Sequence, residues 1–279
     1  MTGEAGFPRA LTVAGSDSGG GAGIQADLKT MQELGVFGMS ALTAVTVQNS
    51  LGVHGVHPME PAAVAAQAEA VLSDIGADAV KTGMLFSAEV VEAVCGVFDR
   101  YAVRRLTVDP VMIAKGGASL LRAEAVAAMI RRLLPMAEIV TPNVPEACAL
   151  LGLPEGAIRD ESDMADAARQ IRLLGPEHVL VKGGHLPGAE ARTECADVLV
   201  GGGGLVRVLR SPFVPTRHTH GTGCTLSAAI TAYRARGLAV EEAVRGAKAF
   251  VSKAIAQAVP TGGGVGSLWH AAHRSAQAE

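Results

Sequence analysis

Gly221, Thr222, Gly223 and Cys224 stand directly before the small-residue run TLSAAITAY, a spacing that can hold an anion. Glycines ahead of a helix let successive backbone N–H groups point at one spot, and the helix dipole favours negative charge there. A developing phosphoryl charge fits that spot, while an ordinary glycine-containing helix start is the alternative. Cys224 falls in the first turn, where the dipole lowers thiol pKa and favours thiolate. It would then serve as a general base toward a hydroxyl or line an acceptor pocket, unless it is simply a buried, inert cysteine.

Other residues suit the same chemistry. Lys182 ends the apolar run VLVK, where it must reach an anion such as phosphate or snorkel to water. Asn143 and Glu146 in NVPE offer oxygens one helical turn apart, suited to Mg²⁺ held mainly through water and phosphate, or equally to a helix cap. Asp109 in VDPV adds a second carboxylate near the metal or caps a turn before Pro110. The loop GSDSGGGAG (15–23) lacks the Gly-Lys-Ser/Thr of a P-loop, because Ile24 and Gln25 follow. A dinucleotide site fails too, since Gln48 stands where an acid belongs. Gly15 and Gly20 can instead let backbone approach a small substrate, with Asp17 as a hydrogen-bonding group, or form a tight turn. His218 and His220 could bind metal from one strand face, but no third ligand lies nearby in sequence.

The elements that must position these groups alternate. Ala10–Ala14, Ala41–Val47 and the runs DAVKTG, RLTVDPVM, AEIVTPN and HVLVKGG read as strands. Between most of them lie helical patterns: Ile24, Leu28, Met31 and Leu34, then Pro61–Leu72, Ala88–Phe98, Ala123–Leu134 and Ser162–Leu174. Such alternation implies parallel pairing, with ligands bound outside the carboxyl ends of the strands. Asp17, Gln48, Lys81, Asp109, Asn143, Glu146 and Lys182 therefore converge on one rim. DVLV and LVRVL around the Gly201–Gly204 run read as a hairpin at the sheet edge, and Val240–Val259 supplies a last helix. With no linker or repeat, one domain spanning 1–279, with its core at about 10–260, is the simplest organisation.

Composition narrows the partners. A hydrophobic content of 49% over 279 residues allows a large core. Net charge is −3, from 24 basic against 27 acidic residues, and aromatics are 3%, so nucleic acid is a poor partner. No run is long enough to span a bilayer, and the amino-terminal stretch does not read as a secretory signal, so a cytoplasmic location is expected. Cys95, Cys148, Cys195 and Cys224 are scattered, without C-x-x-C pairing, and are expected reduced.

Taken together, GSDSGGGAGIQADLKT, AVTVQNSLGV, DAVKTGM, VDPVM, TPNVPEA, VLVKGGH and HTHGTGC resemble the hydroxymethylpyrimidine and phosphomethylpyrimidine kinases of thiamine biosynthesis, in order from about Leu11 to Ala258. The resemblance implies a ribokinase-like α/β/α sandwich with a mostly parallel central sheet, and a homodimer. It also implies two successive ATP- and Mg²⁺-dependent phosphorylations, first of the hydroxymethyl group and then of the resulting monophosphate. It puts pyrimidine contact on Gln48 and Met84, and the end of an anion-hole motif (Gly221, Thr222, Gly223) on Cys224. Phosphate binding falls on Lys182, the nucleotide set includes Asn143 and Thr219, and the Mg²⁺-associated acids are Asp109 and Glu146. A carboxamide at Gln48 can pair both donor and acceptor of an aminopyrimidine edge. Many wider relatives carry aspartate where Cys224 stands; a cysteine would relieve repulsion of an anionic monoester acceptor. The chain departs from the family pattern at its carboxyl end, where GGGVGSLWH leads to His270. Pyridoxal or pyridoxine kinase is the alternative activity.

Overall fold

A computed structural model describes residues 6–112, 123–188 and 193–275; residues 1–5 of the amino-terminal stretch read above lie outside them. β1 (Arg9–Ala14) is buried beyond its first residue and leads through the first glycine loop into α1 (Gly23–Glu33), which turns Ile24, Ala26 and Met31 inward. β2 (Phe37–Leu42) returns parallel to β1.

The single strand expected over Ala41–Val47 is instead two elements. After Leu42 the chain leaves the sheet, and β3 (Ala44–Asn49) pairs antiparallel with β4 (Gly52–Pro58) as a separate ribbon. Side-chain alternation explains the exit. β3 buries Ala44 and Thr46 but exposes Val45 and Val47, a one-faced pattern, whereas β5 (Ala79–Thr82), inside the main sheet, is buried on both faces. Thr43 fixes the break: its N–H donates to the Ala14 carbonyl at 3.1 Å and its hydroxyl to that of Met84 at 2.6 Å.

α2 (Pro61–Asp74), preceding β5, opens on proline, whose missing N–H costs nothing there. The alternation continues through α3 (Ala88–Arg100), β6 (Leu106–Val108) and α4 (Ala123–Ala128), which widens into a π turn over Met129–Leu133. β7 (Ile139–Val140), α5 (Val144–Leu151), α6 (Glu161–Arg172) and β8 (His178–Lys182) follow. The expected hairpin is present as β9 (Glu194–Val200) and β10 (Val206–Pro212), and α7 (Thr222–Ala235) and α8 (Val240–Ala256) complete the frame.

Across the sheet the order is β10-β9-β8-β7-β6-β5-β1-β2. Strands from β8 to β2 are parallel, while β9 runs antiparallel to both β8 and β10. One apolar cluster, including Phe98, Met129, Leu133 and Ile171, covers one face; a second, including Leu226, Ile230, Val244 and Phe250, covers the other. The result is the three-layer α/β/α sandwich that the resemblance implies, built on the parallel pairing that the alternation predicts. Chain progression reverses at β1, with β2 on one side and β5 through β8 on the other, and such a reversal opens a crevice outside the carboxyl ends of the strands. Among the described residues no helix is long and apolar enough to cross a membrane.

Candidate active site

α7 begins without a side-chain cap, on Gly221 in the left-handed region at φ 84°. Packing demands glycine there as well, because a Cβ would sit 1.8 Å from the Gly21 carbonyl oxygen. The Thr222 N–H reaches back to Thr219 O at 3.3 Å, whereas the amides of Gly223 and Cys224 have no carbonyl partner among the described residues. First-turn N–H groups point out past the amino end of a helix, here into a cavity of about 660 Å³ that Gly221 to Cys224 help to line.

The acids and the lysine meet beside that helix start. Ser227, one turn along α7, donates to Asp109 Oδ2 at 3.2 Å, so the helix also fixes the carboxylate that follows β6. Lys182 Nζ lies 3.0 Å from Asp109 Oδ1 and 3.9 Å from Glu146 Oε2. A Cβ on Gly223 would stand 3.3 Å from the same ammonium, so Lys182 lies against the first turn of α7. Burial alone would discharge Lys182, but Asp109 and Glu146 hold its pKa above the ordinary lysine value. Glu146 goes the other way: burial, reinforced by Asp109 and opposed by Lys182, pushes its carboxyl up to about 7. Asn143 and Glu146 also form the reciprocal cap of α5, each side chain accepting the other's backbone N–H at 2.8 Å. Cap and charge cluster are therefore one arrangement, since the cap locks the side chain that faces Lys182.

Two expectations for this wall need correction. Cys224 is not favoured as a thiolate: burial pushes its thiol up to about 11, and the nearby Lys81 charge only partly offsets this. Lys81 does not present its charge on the open rim. It is fully buried, with Nζ 2.8 Å from both carboxylate oxygens of Asp27, which also accepts from Thr12 Oγ1 at 2.7 Å. An acid supplied by α1 satisfies the ammonium from within, at the floor of the cavity.

The opposite wall is built from the first glycine loop and the β3–β4 ribbon. Asp17 accepts from the amides of Gly19, Gly21 and Ala22 at 2.8, 3.0 and 2.8 Å, and from His220 Nε2 at 2.8 Å. Burial opposes its ionisation, but His220 and the loop amides prevail and hold the carboxyl below its usual value. Asp17 therefore shapes the loop and anchors His220, the turn role that the sequence held open beside a substrate contact, and three of these four bonds fall on Oδ2. Gly15 lines the cavity against Met84, whose Cε would lie 2.4 Å from a Cβ at that position. Gly20, at φ 77°, is a turn residue off the cavity, with its carbonyl held by Lys29 at 2.7 Å. Gln48 reaches the cavity from β3 rather than from the end of a sheet strand; its backbone exchanges two hydrogen bonds with Ser18 Oγ at 2.7 and 2.8 Å. Asp17, Gln48, Met84, Asn143, Glu146, Thr219 and Lys182 all border this one space.

His218 and His220 do not share a ligand. His218 Nδ1 accepts the Gly266 N–H at 2.9 Å, while His220 turns to Asp17. The segment carrying Gly266 stitches the site together. Val265 N–H donates to Ser50 O on the ribbon turn at 2.9 Å, and His270 Nε2 lies 3.0 Å from Thr225 Oγ1 on α7. Sequence reasoning missed the far end of the cavity, where Phe213, Val214, Leu226, Val251 and Ile255 make an apolar slot. At its edge Lys248 is paired with Asp197 at 2.6 Å. A lysine inside the apolar pattern AKAFV of α8 was the one available signal.

Residues 17–269 match the sequence profile of a family described as phosphomethylpyrimidine kinase. The chain belongs to the phosphomethylpyrimidine kinase family. The hydroxymethylpyrimidine/phosphomethylpyrimidine kinase of Bacillus subtilis is 49% identical over 95% of this chain and 96% of its own length. Among solved structures, a phosphomethylpyrimidine kinase from Clostridium difficile is 43% identical, with a TM-score of 0.77 over 88% of this chain and 99% of that one. The pyridoxal kinase of Staphylococcus aureus in complex with AMP-PCP and pyridoxal is 38% identical, with a TM-score of 0.87 over 96% and 95%. The phosphomethylpyrimidine kinase family thus shares this architecture with kinases acting on another ring, and the ribokinase-like fold implied by the motifs is present.

Proposed function

We propose that this enzyme transfers the γ-phosphoryl group of ATP to the hydroxymethyl oxygen of 4-amino-5-hydroxymethyl-2-methylpyrimidine, then phosphorylates that monophosphate to the diphosphate, in thiamine biosynthesis. One observation carries the reading: the uncapped start of α7 and the Gln48 carboxamide border the same cavity, linked by His220 at 3.2 Å from Gln48 and adjacent in chain to Gly221.

The apolar slot suits the adenine, and Lys182 with Asn143 and Thr219 suits the phosphates. In each transfer an acceptor oxygen bonds to the γ-phosphorus as its bond to the β–γ bridging oxygen breaks and ADP leaves. The amides of Gly223 and Cys224 and the Lys182 ammonium stabilise negative charge on the moving group. A neutral thiol at Cys224 takes no proton at pH 7. In a loose transition state the hydroxyl proton is lost late, to the transferred group or to water. The same neutrality suits the second acceptor, an anionic monoester that a carboxylate there would repel. Gly15 and Met84 pack the pyrimidine ring, and Gln48 pairs with its amino edge.

The donor set fits Mg²⁺. Glu146, with its pKa raised to about 7 by burial, is an acid that an added cation would hold ionised, and Asp109 supplies a second hard oxygen donor. Asp109 and Glu146 would hold the ion, and it would supply positive charge against the nucleotide phosphates. Among the described residues no group of three or more His, Cys, Asp or Glu could hold a metal by itself, in keeping with an ion carried largely by phosphate and water. ATP as co-substrate favours the cytoplasm. A homodimer through the β3–β4 ribbon would cover Val45, Val47 and Leu51, which are 42%, 49% and 71% exposed.

Pyridoxal is the competing acceptor, favoured by the likeness to the S. aureus enzyme. Incubating the purified protein and MgATP separately with hydroxymethylpyrimidine, its monophosphate and pyridoxal, and following product masses, decides between them. Phosphorylation of both pyrimidines is expected; pyridoxal as sole acceptor would overturn the assignment.

A further inference from the structure

His220 Nε2 stands 2.8 Å from Asp17 Oδ2 and 3.2 Å from the near end of the Gln48 carboxamide. The far end of that carboxamide is 3.3 Å from Thr46 Oγ1, whose hydroxyl donates to the Ser16 carbonyl at 2.8 Å. These contacts fix the polarity of the amide. Asp17 accepts from three loop amides besides His220, an all-acceptor role that only the ionised carboxylate fills, so the imidazole nitrogen facing it carries a proton. With the amide nitrogen toward His220, as placed, two donors meet, and the amide oxygen faces a hydroxyl whose proton is already directed elsewhere. Exchanging the two ends, which have nearly the same shape, turns both contacts into hydrogen bonds. His220 then shares its Nε2 proton between Asp17 and Gln48 Oε1, while Gln48 Nε2 donates to Thr46. One N–H and one oxygen lone pair of the carboxamide remain for a ligand.

We propose that His220 is a positioning residue: anchored by Asp17, it holds the Gln48 amide in the polarity that reads an aminopyrimidine edge. The proposal rests on the acceptor assignment above. An aminopyrimidine offers a donor amine beside a ring-nitrogen acceptor, the complement of the held amide, whereas an edge offering only acceptors meets Oε1 unfavourably. Without His220 the amide turns freely and suits either edge. His220 thus governs which ring is accepted rather than how fast phosphoryl moves.

The test is a double-mutant cycle of wild type, His220→Phe, Gln48→Ala and the double variant. The readouts are kcat and KM for hydroxymethylpyrimidine and pyridoxal, KM for ATP, and a thermal melt. His220→Phe is expected to raise KM for hydroxymethylpyrimidine about tenfold, the scale of one mispaired buried hydrogen bond, and to narrow the preference over pyridoxal. KM for ATP stays unchanged, and in the Gln48→Ala background the same substitution adds no further loss. Equal losses in both backgrounds, or an unchanged KM in a folded His220→Phe, overturn the proposal while leaving the acceptor assignment intact. A wild type that phosphorylates only pyridoxal overturns both. If His220→Phe melts early, Thr46→Val, which removes the opposite partner of the amide, enters the same cycle with the same expectations.

Discussion

Replacing Gly221 by alanine adds one methyl group where two backbones touch. The left-handed conformation at φ 84° costs a non-glycine residue about 1–2 kcal/mol. The added carbon would lie 1.8 Å from Gly21 O, so the start of α7 and the first glycine loop must part by more than about 1 Å before the contact reaches even 3.0 Å. Neither side yields alone: Gly21 N–H is held by Asp17, and Thr225 N–H bonds the Gly221 carbonyl at 2.8 Å. A displacement of about 1 Å in groups that orient a transferring phosphoryl lowers rate about 100-fold. The strain itself lowers the unfolding midpoint by about 2–8 °C for a chain of this size. Gly221→Ala is therefore expected to fold, melt slightly early, and lose about two orders of magnitude in kcat with both pyrimidine acceptors, measured by coupled ADP release beside calorimetry. Full kcat in a folded variant would refute the assignment of these amides to phosphoryl transfer.

Cys224→Ala is expected to slow both phosphorylations by a similar, modest factor, because a thiol held at about 11 is no base at neutral pH; a loss confined to the first step would restore the thiolate reading. Lys81→Met leaves Asp27 buried without its partner and is expected to cost about 3–5 kcal/mol in urea unfolding, with Lys81→Met/Asp27→Leu recovering most of it. His270 is held neutral, chiefly by burial, with its pKa lowered to about 4. Its unfolded form takes a proton near pH 6.5 and its folded form only near 4, so its contribution is complete above pH 6.5 and lost as pH falls toward 4, by about 3 kcal/mol at most. Glu146 acts in the opposite sense over part of that window, so the readout is the difference between wild type and His270→Phe in urea midpoints at pH 7 and pH 4.5; parallel curves would contradict it.

How much of this was legible in the sequence depended on the range of the signal. Alternating apolar runs announced the parallel sheet, the edge hairpin and the rim, because each strand's burial is written locally. The split at Thr43 was not announced: ALTAVTV (41–47) is a strand-forming run in which two threonines interrupt the apolar residues without marking a break, and only long-range partners, Ala14 and Met84, decide where the chain leaves the sheet. Burial reversed two inferences drawn from local chemistry. The helix start suggested a thiolate at Cys224, yet burial raises the thiol and the nearby Lys81 only partly offsets it, and Lys81 was placed on the rim although Asp27, 54 residues away, pairs it underneath. At Asp17 the local sequence left a substrate contact and a tight turn both open; the amides of Gly19, Gly21 and Ala22 realise the turn, and only the partner His220, 203 residues away, was invisible locally. The apolar slot escaped because its residues are distant in sequence: Phe213, just past β10, and Val251 and Ile255 of α8 form no motif, yet line one cavity.

The central claim is geometric, and a ternary complex with a non-hydrolysable ATP analogue and hydroxymethylpyrimidine tests it most directly. Crystallography of that complex is expected to show the γ-phosphoryl group within hydrogen-bond distance of the Gly223 and Cys224 amides, with the acceptor oxygen beside it and the aminopyrimidine edge on Gln48. A terminal phosphate bound away from the start of α7, or a pyrimidine that leaves Gln48 untouched, would contradict it.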